Sequence, residues 1–367
     1  MEGTTPFIEI NGRRVGPGYP TYLIAEISAN HNQSYDKAAR LVEAAVNAGA
    51  DAIKLQTYTA DTLTLDVDSP LYRIGDDTLW GGETLYSLYE KAYTPWEWQP
   101  RLMKVANDLG ADLFSSPFDF TAVDFLDEMD VPAFKVASFE SNDTVLVKYM
   151  ASKGKPVLMS TGMASLAQVD AAVGAARAGA GNTSNLLLFK CVSAYPAPPA
   201  SINLRTIPHM RQAFDVPVGF SDHTLGIAVA PAAVAIGACA IEKHVTLSRA
   251  DGGPDAEFSV EPGEFEAMVK QIRTVEEAVG GIHYGPTTSE LPSLAFRRSL
   301  IVTEDLPGGS VFTADNVRSL RPGYGLSPGF IDEVLGRSAA EDIVRGTPLT
   351  WDLVSGKRDE NSLAVTG

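Results

Sequence analysis

From Tyr22 onward, short apolar runs alternate with longer stretches in which apolar residues recur every three or four positions. The first pattern is that of buried strands, the second that of helices with one core-facing side. "YLIAEIS" precedes "SYDKAARLVEAAVNAG", and "AIKLQTY" precedes, after a long insertion, "PWEWQPRLMKVANDLG". "DLFSSPF" leads to "TAVDFLDEMD", "AFKVAS" to "NDTVLVKYMASKG", and "PVLMSTG" to "SLAQVDAAVGAARAG". "LLLFKCVSAY" leads to "NLRTIPHMRQAF", "VGFSDHT" to "GIAVAPAAVAIG", and "AIEKHVT" to "EPGEFEAMVKQIRTVEEAVG". Eight strand–helix units in a row predict a (β/α)₈ barrel, although an open doubly wound sheet alternates in the same way. Ahead of them, "FIEINGRRV" reads as a β-hairpin around Asn11-Gly12. A hairpin able to plug a barrel floor, and the count of eight, favour closure.

The alternation stops at "HYGPTTSELPSLAF". The expected organisation is a barrel over 1–281, a linker over 282–296, a small, mostly β domain over 297–356 and a frayed tail over 357–367. A length of 367 residues, 45% hydrophobic and 20% charged, suits a barrel plus one small domain. The formal net charge of −17 argues against nucleic acid or an anionic membrane as partner. No apolar run is long enough to span a bilayer, and the start lacks a signal-peptide core, so a cytoplasmic location is expected. Two cysteines, Cys191 and Cys239, fit a reducing compartment better than a disulfide framework.

Barrel chemistry belongs at the carboxyl ends of the strands. Those ends carry Glu26, Lys54 and Gln56, Ser115 and Ser116, and Lys135 with Ser138. Further round come Ser160 and Thr161, Ser193 and Tyr195, Ser221 and His223, and Glu242 and His244. Several are i, i+2 pairs, which point the same way from a strand. Packing alone would ask for Val and Ile there, and an unpaired buried lysine costs several kcal/mol. For either lysine alone, an internal pair with Glu26 or Glu242 suffices as an explanation. Two lysines with many hydroxyls and few acids look instead like a cradle for phosphate and carboxylate. Lys190 and Lys243 fall out of step and are expected to be structural ion-pair partners. His223 and His244, on neighbouring strand ends, are candidates for holding a divalent ion. His31 is a candidate to line the pocket or cap a helix, whereas His209 and His283 read as surface. The aromatic insertion "TADTLTLDVDSPLYRIGDDTLWGGETLYSLYEKAYT" is expected to shape a substrate pocket.

At these residues the chain resembles the sialic acid (nonulosonic acid) synthase family. The resemblance is carried by "IAEISANHNQS", "AGADAIKLQT", "FSSPFD", "FKVASFE", "STGMAS", "KCVSAYP", "GFSDHTLG", "IEKHVTL" and "GGPDAEFS". "QTYTADTLTLD", "LWGGETLYSLYEKAYTPWEW" and "SFESND" resemble its pseudaminic acid synthase branch, and "RPGYGLSP" resembles the centre of its antifreeze-like (SAF) domain. The resemblance implies condensation of phosphoenolpyruvate with an open-chain amino sugar, releasing phosphate. Carried over residue by residue, it implies phosphoenolpyruvate binding by Lys54, Gln56, Ser116, Lys135, Ser138, Ser193 and Ser221. It implies manganese or magnesium on His223 and His244, with Glu26, Tyr195, Glu242 and Asp255 facing the sugar and the reacting carbons. It also implies a domain-swapped homodimer in which Arg321 reaches the sugar of the partner's site. Ser116 and Ser193 stand where sialic acid-forming relatives are expected to carry Thr and Asn, which counts against N-acetylneuraminate as product. Rival readings are a legionaminate or N-acetylneuraminate synthase, a metal-dependent aldolase, and a carbohydrate- or ice-binding protein with a degenerate barrel.

Overall fold

A computed structural model of the chain describes residues 6–75, 80–183 and 185–356. The expected tail and residues 76–79 of the insertion lie outside the described residues. Strands β1 (Ile8–Ile10) and β2 (Arg13–Val15) pair antiparallel. Asn11 and Gly12 between them both have positive φ, 48° and 79°, the backbone that a two-residue hairpin turn requires.

Eight parallel strands follow: β3 (Tyr22–Glu26), β4 (Ala52–Thr57), β5 (Asp112–Pro117) and β6 (Phe134–Val136). The others are β7 (Val157–Ser160), β8 (Leu186–Cys191), β9 (Val218–Asp222) and β10 (Ala240–His244). They pair in chain order, and β10 returns to β3 with His244 opposite Glu26, closing the barrel. The open-sheet alternative is thereby excluded. Nearly every strand residue is buried, because side chains on one face fill the barrel and those on the other meet helices.

The helices are α1 (Tyr35–Asn47), α2 (Ala60–Leu63), α3 (Leu85–Ala92) and α4 (Gln99–Asp108). Next come α5 (Phe120–Glu128), α6 (Thr144–Ser152), α7 (Leu166–Ala180) and α8 (Thr206–Phe214). The barrel ends with α9 (Val229–Ala235) and α10 (Pro262–Val279). Their starts are local in origin. Ser34, Asp119 and Asp143 accept backbone N–H bonds at the N-termini of α1, α5 and α6, and Ser165 forms a capping box with Gln168 on α7. In α1, buried Ala38, Leu41, Val42 and Ala45 form the stripe that packs on the barrel.

The hairpin seals the amino ends of the strands. Ile8, Ile10 and Val15 join the core, Asn11 donates to Asp112 at 2.9 Å, and Arg13 pairs with Asp51 at 2.5 Å. That leaves the carboxyl ends as the open face.

The chain divides into two compact units, Met1–Gly280 and Gly281–Gly367. In the second, β11 (Ser299–Val302) pairs with β12 (Val317–Leu320), beside α11 (Ile331–Val334). Elsewhere it is held by single bridges such as Leu306–Ile343 and Ala339–Val354. Regular strand is thus scarcer than its β-prone runs predict, because Pro307, Gly308, Gly309, Gly336 and Gly346 break each ladder after a residue or two. Its core is built from Leu300, Val302, Phe312, Val317, Val334 and Leu349. Thr288–Phe296, expected as linker, is wound into 3₁₀ turns. Among the described residues no helix is long and apolar enough to cross a membrane.

Candidate active site

A cavity of about 510 Å³ opens at the carboxyl ends of the barrel strands. Lys54, Gln56, Lys135, Ser138, Tyr195, Ser221, His223, Glu242, His244 and Asp255 all line it. The i, i+2 pairing explains the convergence: Ser221 and His223, and Glu242 and His244, face the cavity together. The residues between them face outward. Lys243 and Asp222 form a buried ion pair at 2.9 Å, as expected of a structural pair. Asp222 also accepts from Thr224 N at 2.9 Å and Oγ1 at 2.7 Å, and Lys243 donates to the Thr224 carbonyl. These bonds fix the chain on either side of His223.

Glu242 lies between the two cavity lysines, its Oε1 3.7 Å from Lys54 and its Oε2 3.7 Å from Lys135. Lys54 also pairs with Glu26, and Lys135 donates to Ser160 Oγ at 2.5 Å. The acids are therefore more numerous than the strand ends alone predict, since Asp255 arrives from a loop and accepts from Ser28. Burial pushes the Glu26 carboxyl up to about 7, with Lys54 opposing and Glu242 adding to the rise. Burial also disfavours ionised Glu242, yet Lys135 and Lys54 outweigh it and hold its pKa below the usual carboxylate value. Burial lowers the pKa of Lys135, whereas on Lys54 burial is outweighed by Glu242 and Glu26 and the pKa rises.

Glu26, Ser116 and Ser193 are buried or half-buried just behind the cavity surface. The hydroxyls of Ser116 and Ser193 are buried with no hydrogen-bond partner among the described residues. Gly162 is needed beside them: a Cβ there would overlap the Ser193 and Ser138 hydroxyls, and its N–H donates to Ser138 Oγ at 3.2 Å. The His223 and His244 rings are 5.4 Å apart. His223 Nδ1 lies 2.9 Å from the Val192 carbonyl, and such a bond leaves Nε2 as its free ligand atom. Buried His244 Nδ1 has no hydrogen-bond partner among the described residues and lies 3.9 Å from Asp255. Among the described residues no group of three or more His, Cys, Asp or Glu is arranged around one metal position.

Several expectations are corrected. Lys190 pairs with no carboxylate among the described residues; half-buried, it donates to the Cys191 carbonyl at 3.0 Å. His31 does not line the cavity; its Nδ1 accepts from the Gln33 backbone N–H at 3.1 Å, just ahead of the α1 N-cap. It is wholly buried against Trp98 and bonds Thr94, and burial pulls its pKa down to about 4. Ser115 turns away from the cavity toward Thr57, one residue out of phase with Ser116. His209 and His283 are exposed as expected. Arg321, in the second unit, is exposed and makes no side-chain hydrogen bond or ion pair among the described residues. Among the cavity residues that escaped sequence reasoning are Ser28, Tyr58, Cys191 and Glu140. The signal for Glu140 was available, since "SFESND" puts an acid in the first turn beyond a strand end.

The NeuB family pattern matches residues 41–284. The chain belongs to the NeuB family. A SAF domain matches residues 297–355, so the second unit of this NeuB-family chain carries that module. The chain is 40% identical over 328 residues to the pseudaminic acid synthase of Campylobacter jejuni strain 81-176, covering 89% of this chain and 95% of that one. It is 38% identical over 335 residues to the pseudaminic acid synthase of Helicobacter pylori, covering 91% and 97%. Among solved structures, the N-acetylneuraminic acid synthetase of Leptospira borgpetersenii is similar with a TM-score of 0.71 and 28% identity, over 81% of this chain and 98% of that one.

Proposed function

We propose that this NeuB-family enzyme is a pseudaminic acid synthase. It would condense phosphoenolpyruvate with 2,4-diacetamido-2,4,6-trideoxy-L-altrose and water to give pseudaminic acid and phosphate. The observation that carries this reading is the meeting of two buried lysines with the Ser138 and Ser221 hydroxyls in one cavity, backed by the Ser116 and Ser193 hydroxyls, unpartnered among the described residues, in a chain about 40% identical to a pseudaminic acid synthase. A dianionic phosphate and a carboxylate would relieve both the paired lysines and the orphaned hydroxyls.

In this reading Lys54, Lys135, Gln56, Ser116, Ser138, Ser193 and Ser221 hold phosphoenolpyruvate. Its C3 attacks the aldehyde C1, forming the new C–C bond while positive charge develops at C2. Water adds at C2, and the tetrahedral intermediate loses phosphate by cleavage of the C2–O bond. One water proton ends on the former aldehyde oxygen and the other leaves with phosphate. Glu26, raised to about 7, is suited to take and return a proton near neutral pH. Tyr195, Glu242 and Asp255 orient the sugar and water. The free nitrogen edges of His223 and His244 suit a divalent ion, manganese or magnesium. The chemistry such an ion supplies when bound is polarisation of the aldehyde oxygen. Exposed, and unpaired among the described residues, Arg321 is suited to close the sugar site of a partner subunit in a domain-swapped homodimer.

Phosphate release with both substrates and manganese, followed by mass spectrometry of the product, tests the reaction. We expect pseudaminic acid, with N-acetylmannosamine a poor substrate. Lys54→Met and Lys135→Met should each raise the KM for phosphoenolpyruvate roughly 10- to 100-fold, the loss of one charge-assisted bond. Chelation should abolish turnover until metal is returned. A preference for N-acetylmannosamine, or unchanged phosphoenolpyruvate binding in both variants, would overturn the assignment.

A further inference from the structure

Leu85, Leu88, Tyr89 and Ala92 recur at i, i+3, i+4 and i+7, which puts them on one face of α3. A stripe of this kind ordinarily meets a core. On α3 no residue is buried, and none of the four packs into the barrel core. All four line the cavity instead, joined by Leu63 and Ile74 from the same insertion. The cavity is therefore two-sided in composition: charges and hydroxyls from the strand ends, alkyl and aromatic groups from the insertion. The apolar side is also tied down. Trp80 donates its ring N–H to the Pro254 carbonyl at 2.9 Å, next to Asp255, and its ring lies 5.8 Å from Tyr195. Tyr89 packs edge-on against Tyr58 at 5.6 Å.

We infer that the apolar stripe of α3, with Leu63 and Ile74, is the subsite for the non-reacting end of the sugar. It selects a substrate that ends in a methyl group over one that ends in a hydroxymethyl. The inference rests on the reaction proposed above, and its chemistry is simple. The reacting end of such a sugar carries an aldehyde and belongs among the cations and acids. Its far end must then meet the insertion, where a terminal hydroxyl would lose water and find no partner, while a methyl group would cover alkyl surface that water otherwise wets. An apolar pocket of this kind discriminates against an added hydroxyl by about 100-fold.

The test compares 2,4-diacetamido-2,4,6-trideoxy-L-altrose with its 6-hydroxy counterpart, using the full chain with manganese and saturating phosphoenolpyruvate. The wild type should favour the 6-deoxy sugar about 100-fold in kcat/KM. Leu88→Asn should cut that ratio to below about 10 by giving the hydroxyl a partner, while the KM for phosphoenolpyruvate stays within about twofold. Leu88→Ala, which keeps the helix intact, should raise the KM of the 6-deoxy sugar alone. Circular dichroism confirms that both variants fold. A wild type that makes pseudaminic acid but uses both sugars equally overturns the subsite and leaves the reaction standing. So does a ratio unmoved in both variants. A wild type that turns over neither sugar defeats the reaction itself, and the subsite with it.

Discussion

Glu140 stands in the turn after β6, facing the cavity, with its Oε2 buried and without a hydrogen-bond partner among the described residues. Burial pushes its carboxyl up to about 7, against the opposing pull of Lys135 and Lys54. The sign of the pH effect follows. Below pH 4.5, its ordinary value, the group is protonated in both folded and unfolded chains and contributes nothing. Between that value and about 7 the folded chain holds a proton that the unfolded chain releases, so stability falls as pH rises. Glu140→Gln should therefore gain melting temperature over the wild type across this window and hold a constant advantage above it. A difference independent of pH from 4 to 8 would mean that Glu140 titrates as an ordinary surface acid. Glu140 also marks where sequence reading stops. Lys54, Lys135, Ser221, Glu242 and both cavity histidines were legible because strand ends and a two-residue period select them. Ser28 and Glu140 lie in turns just beyond the strand ends; "SFESND" signals an acid there, but only the folded chain aims it into the cavity.

At the scale of elements, β9 and β10 do two jobs with alternate residues. Their inward residues face the cavity, while Asp222 and Lys243 knit the strands together behind it. Lys243→Met would leave Asp222 buried without its cation, a loss of about 3–5 kcal/mol. The double change Asp222→Asn with Lys243→Met should recover much of that stability. It should still weaken metal binding, measured by calorimetry, because the Thr224 carbonyl beside His223 loses its bond from Lys243. Equal denaturation midpoints for wild type and Lys243→Met would show that the pair does not stabilise the barrel. The elements were the most legible level, since apolar runs and three- or four-residue spacings mark strands and helices locally. Lys190 departs from the expectation because a half-buried lysine needs no carboxylate: its ammonium donates to the Cys191 carbonyl and stays partly exposed. In the second unit, the glycine-rich turns leave one short ladder and single bridges in place of longer strands.

For the molecule as a whole, the proposed exchange of C-terminal units makes a prediction that no single chain can satisfy. Arg321→Ala and His223→Ala chains should each be inactive alone. Mixed under conditions that allow subunit exchange, they should regain activity, since in a mixed dimer one site carries both native residues and the other neither. A random mixture is half mixed dimers, each with one working site, so about a quarter of wild-type activity is expected. Failure despite exchange verified by native mass spectrometry would confine Arg321 to its own chain or to no role. The sealed floor of the barrel has a practical corollary. Cys239 is buried and Cys191 lies within the cavity, so a new thiol on the hairpin, as in Glu9→Cys at an exposed position, would be a handle on the closed side of the barrel. A chain tethered to a sensor through it would hang with its cavity mouth turned outward to the flowing solution. Every immobilised molecule would then present the same face to its ligands.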